Sequence, residues 1–213
     1  MTKYNNTPLV FTARTKTDDN YEPSNWIRRE ILKPQYHEAG HAVVARLTGF
    51  RVEWVSIDPA FIDNNAIAIE NMCTGFGPVC MTISSDRLNP IVNPIGGLPR
   101  RGIRTKEDRE TIIGYVIHVL AGPYVEREID SASFDRTVCE RDFGQVAMIL
   151  SLAEPNRSAR KKLLNVAHRR LNKMLDDHWA SIQNVARALH IHRTLFGHQI
   201  DAIMSGVELP EAA

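Results

Sequence analysis

Between residues 36 and 47 the chain reads YHEAGHAVVARL, a helix-length run whose apolar side chains leave almost no polar face. A helix of that kind belongs inside a core. His37, Glu38 and His41 are set in its first half, and burying them without partners is costly. Residues four apart stand one turn above each other, so the two imidazoles converge on one point. A zinc ion, which takes histidine nitrogen at about 2.0–2.1 Å, accepts that convergence. Glu38 projects to the flank, where it reaches a water on such an ion without ligating it. The ion lowers the pKa of that water toward about 7 and the glutamate carries the proton. Gly40 costs a helix interior up to ~1 kcal/mol relative to alanine, which implies that something packs closely against this turn.

The bulk numbers leave room for one domain. A length of 213 residues and a hydrophobic fraction of 43% are enough for a sizeable core. Twenty-six basic residues against 25 acidic ones give a net charge of +1, which calls for neither nucleic acid nor an anionic membrane as main partner. No stretch reaches the ~18 apolar residues of a membrane span, and the first residues lack the apolar run of a signal peptide. Cys73, Cys80 and Cys139 form no CxxC pair, which predicts reduced thiols and a cytoplasmic setting. The gap between Cys73 and Cys80 is wide for a zinc knuckle.

Along the chain, residues 1–23 are polar and aperiodic and predict a flexible N-terminal arm. Ser24 and Asn25 cap a short helix through Leu32, which Pro34 ends before a second helix over 35–48 with Gly49 as its stop. Strands are predicted at 51–57, 66–70 and 79–83, and a surface loop over 84–104. From 105 to about 130 the period is helical, and Thr105 with Asp108 resembles a capping box. Helices follow over 142–152, 156–177, 178–189 and 196–204. The fold class is α+β, predominantly helical, with a small β-sheet and a C-terminal helical bundle. The domain spans 24–205, followed by a tail over 206–213.

These segments also carry a resemblance. YHEAGHAVVA (36–45) resembles the active-site helix of the FtsH-type ATP-dependent zinc metalloproteases, and VEWVSIDP (52–59) the strand after it. IHVLAGPYVE (117–126) is similar to that family's "LLGGRAAEE" segment, and ERDFGQVA (140–147) to its "GASNDLERA" segment. The stretch 182–204 resembles its closing helices, so about residues 28–204 are covered. The resemblance implies a zincin-like peptidase domain that hydrolyses peptide bonds, with zinc on His37, His41 and Asp142 and with Glu38 as general base. It also implies self-association, since FtsH-type peptidase domains form hexameric rings. Glu126 competes with Asp142 for the third ligand position, because Glu126 and Asp130 reproduce the Glu-x-x-x-Asp of thermolysin-like enzymes. If Asp142 ligates, Glu126 is a residue that orients a ligating imidazole.

The sequence departs from that family in lacking a Gly-rich ATPase loop and a membrane segment. The expected substrate is therefore a peptide or an unfolded chain, with any motor supplied by a separate ATPase. The family's substrate-binding strand finds only a weak echo in FGPVCMT (76–82), where Pro78 removes a donor. The 84–104 segment reads either as a flap over the cleft or as a surface insertion. A catalytically silent interaction or regulatory module on the same fold is the alternative function. His118 is expected in the core or behind a ligand, and His178, His190, His192 and His198 at the surface. The basic stretches 99–104 and 157–170 are expected to be solvated, and Trp26, Trp54 and Trp179 to anchor the core.

Overall fold

The structure, a computed structural model, describes residues 26–65, 79–83, 85–92, 101–132 and 134–210. Its elements are α1 (Trp26–Leu47), β1 (Arg51–Ser56), α2 (Pro59–Asn64), β2 (Val79–Ile83), α3 (Ser85–Leu88), α4 (Lys106–Ile129), α5 (Glu140–Ala153), α6 (Arg157–His192), β3 (Thr194–Phe196) and α7 (Gly197–Met204). The chain is predominantly helical, with one small sheet. Among the described residues no helix is long and apolar enough to cross a membrane.

The centre of the molecule is α4. Thr105 caps it: its hydroxyl accepts from the Asp108 N–H, and the Asp108 carboxylate accepts from the Thr105 N–H, each at 3.0 Å. The Arg104 N–H and the Arg101 guanidinium bind the same carboxylate. From Thr111 to Glu126 every residue of α4 is buried, so neighbours cover it on all sides. The sequence pattern placed its apolar residues on one side only; the full enclosure follows from α1, α5 and α6 all packing against it. A side chain at Gly40 would put its Cβ 2.9 Å from Val125 Cγ2 and 3.0 Å from the Ala121 carbonyl oxygen. Gly40 thus lets α1 and α4 approach closely, which accounts for a glycine inside a buried helix.

Outside this pair, α6 runs for 36 residues and buries Leu163, Ala167, Leu171, Leu175, Ile182, Val185, Ala186 and Leu189 along one stripe. His178, with φ −123° and ψ 18°, breaks its helical path. The sheet has the order β2-β1-β3 and is antiparallel throughout. β1 pairs Val55 with Cys80 on one side and with Leu195 on the other.

Several expectations change. Pro34 lies inside α1, so one helix replaces the two predicted around it. The ring costs a backbone hydrogen bond there, and the packing of the following turns carries the helix past it. The predicted surface loop contains α3 and sends Leu88, Ile91 and Val92 into the core. Trp54 is buried, whereas Trp179 is half-buried and stacks on Tyr36 at 6.5 Å between ring centroids. The arm over 1–23, the strand at 66–70, Cys73 and most of the remaining loop fall outside the described residues.

Candidate metal centre

α1 presents His37 and His41 to the face of α4 that bears His118, Gly122 and Glu126. The His37 Nδ1 hydrogen-bonds Glu126 Oε2 at 3.0 Å, and the His41 Nδ1 donates to the His118 carbonyl oxygen at 2.8 Å. Carboxylate and carbonyl oxygens accept, which assigns the ring proton to Nδ1 in both histidines. Both Nε2 lone pairs then point the same way and lie 3.0 Å apart. Asp142, on the first turn of α5, closes the third side: Oδ2 is 3.3 Å from His37 Nε2 and Oδ1 is 3.7 Å from His41 Nε2. One ligand atom from each of the three residues lies within 4.8 Å of the others.

Such a set suits a cation. Two imidazole lone pairs and a carboxylate facing one another repel, and a proton satisfies only one pair of them. An ion with several coordination positions satisfies all three. The electrostatics agree. Burial pushes His37 toward the neutral form, yet Asp142, Cys139 and Glu126 around it outweigh that and hold its pKa well above the ordinary value. Burial lowers the pKa of His41, and Asp142 offsets only part of the effect. For Asp142 burial acts upward, while His37, His41 and Arg141 hold the carboxyl below its usual value. The surroundings favour positive charge at this point. Two imidazoles and one carboxylate would supply three protein ligands, the number that leaves a coordination position open.

Glu38 is buried, at 6% exposure, beside this centre. Burial pushes its carboxyl up to about 7; His37 opposes the rise, Asp142 adds to it, and Arg141 and a backbone hydrogen bond from Cys80 restrain it. That hydrogen bond places β2, an edge strand among the described residues, next to the carboxylate.

The two contenders for the third position occupy opposite sides of His37. Asp142 faces Nε2, with His41, and Glu126 faces Nδ1. The ring of His118 packs between Phe50 and Tyr115, at 5.2 and 4.8 Å between centroids, and its carbonyl accepts from His41. Burial first, and His41 second, push its pKa down to about 3. Gly122 is the residue that sequence reasoning missed. A Cβ there would lie 2.6 Å from His37 Nε2 and would also run into His41 Nε2, so a side chain would fill the centre. A glycine in the interior of an apolar helix, four residues before Glu126, was the available signal.

No protein-family model matches the chain, and a search of curated proteins finds no match for it.

Proposed function

We propose that the chain is a zinc-dependent peptidase with His37, His41 and Asp142 as ligands and Glu38 as general base. The observation that carries this is the convergence of both Nε2 atoms and the Asp142 carboxylate within 4.8 Å, with an acidic side chain buried alongside. Zinc, when bound, supplies a Lewis acid for a peptide carbonyl and a more acidic water.

The remaining work belongs to the side chains. Glu126 and the His118 carbonyl fix the rotation and tautomer of the two imidazoles and raise their basicity. Glu38 takes a proton from the attacking water and returns it to the departing amine. Cys80 brings the edge of β2 to within hydrogen-bond reach of Glu38. An extended peptide added to that edge would run past the carboxylate. On this reading the fold is zincin-like and the substrate is a peptide or an unfolded chain, with any unfolding left to a separate ATPase.

The test is a Glu38→Gln variant beside the unmutated protein, with zinc measured and a labelled unfolded protein as substrate. Both forms should hold zinc, and the variant should cleave about 10²–10⁴-fold more slowly. Zinc without cleavage in either form would favour the silent module. Protein purified without zinc, and unable to take it up, would overturn the proposal.

A further inference from the structure

An imidazole has two nitrogens, and the centre described above uses only Nε2 of His37. Its Nδ1 faces a second set of donors. Glu126 Oε2 lies 3.0 Å from Nδ1, and the Cys139 sulfur lies 3.6 Å from that same oxygen. The ligand atoms of His37, Glu126 and Cys139 fall within 4.8 Å of one another. Cys139 is fully buried and Glu126 is 6% exposed. Helix formation does not explain the thiol. Cys139 holds the N-cap position of α5, where serine, threonine or aspartate would cap, and it makes no side-chain capping bond. Its sulfur turns to the carboxylate instead.

We propose that His37 Nδ1, Glu126 and Cys139 form a second metal site, built back to back with the first on the ring of His37. The site does not rest on the proposed function. Nitrogen, oxygen and a soft sulfur select thiophilic ions such as cadmium, or zinc in excess, over magnesium and calcium. Binding releases two protons to solvent, one from the thiol and one from Nδ1. The ring then bridges the two ions. The site therefore makes the protein sensitive to the kind and amount of metal around it.

The experiment is a Cd²⁺ titration of the full chain. It is followed by the sulfur-to-metal charge-transfer absorbance and by the number of ions retained per chain. The first centre has no sulfur, so a band that depends on Cys139 reports the second site. The unmutated protein should develop the band and retain a second ion, Cys139→Ser should lose both, and Glu126→Gln should need at least about tenfold more Cd²⁺. Asp142→Asn should keep the band. An ion retained without any band overturns this site and leaves the peptidase reading standing. A band with no ion beyond it overturns that reading and supports the site. An unchanged band in Cys139→Ser assigns the sulfur to Cys73 or Cys80 and overturns the proposal. A midpoint that Glu126→Gln does not move overturns it as well.

Discussion

One methyl group at Gly122 would put an atom where the two Nε2 lone pairs meet. Gly122→Ala should therefore lower metal content by at least about tenfold, more than a change that merely loosens a ligand's hydrogen bond. Its unfolding should stay cooperative, because Ala favours a helix interior by about 1 kcal/mol over Gly. Metal analysis beside a thermal melt checks this: full metal content in a folded variant would refute the reading of Gly122 as the space for the ion. The histidine pair and Glu38 were visible in the sequence because their relation is local, one turn of one helix. The role of Gly122 was not, because it depends on α4 crossing α1. The opposite placements of Glu126 and Asp142 depend likewise on where α4 and α5 pack.

Secondary-structure elements divide along the same line. The start of α4 was legible to the residue, because a capping box is a relation between positions three apart. β3 was missed: three residues carry little period, and what makes them a strand is pairing with β1. The merging of helices across Pro34 and the burial of Leu88, Ile91 and Val92 were missed for the same reason, since tertiary contacts overrode local signals. The capping box also yields a pH test. Burial would raise the Asp108 carboxyl, but the Arg104 and Thr105 N–H groups and Arg101 hold its pKa below the ordinary value in the folded state. A depressed folded pKa contributes stability above the unfolded pKa, and that contribution is lost as pH falls through the folded one. Asp108→Asn should thus cost about 1 kcal/mol near neutrality. The difference should shrink below about pH 4. Urea midpoints of the two proteins, compared at neutral and acidic pH, check both points, and a gap that widens in acid would contradict the assignment.

At the scale of the molecule, the centre ties α1 to α5 directly and to α4 through Glu126 and His118. An ion bound there joins elements that the sequence separates, and it stabilises the folded state by mass action. At a free concentration of a thousand times its Kd the gain is about 4 kcal/mol. In a chain of this size that is roughly 10 °C in melting temperature. Chelation should remove that margin, and Asp142→Asn should melt at the chelated temperature whether or not metal is supplied. Equal melting temperatures for the loaded and chelated protein would count against a site that binds on folding. The sheet has a consequence of a different kind. β1 is the middle strand, yet the strand that covers one of its sides, β3, lies 138 residues further on, counting from Ser56 to Thr194. At about 5–20 residues per second of synthesis, a ribosome takes roughly seven to thirty seconds to cover that distance. Over its last 52 residues, from Asp142 to Thr194, the nascent chain already carries every proposed metal donor but shows an open strand edge. A version ending at His192 should therefore associate with itself more readily than the full chain, which light scattering at matched concentration would register. Assembly of the site and closure of the sheet are then separable events in the synthesis of each molecule.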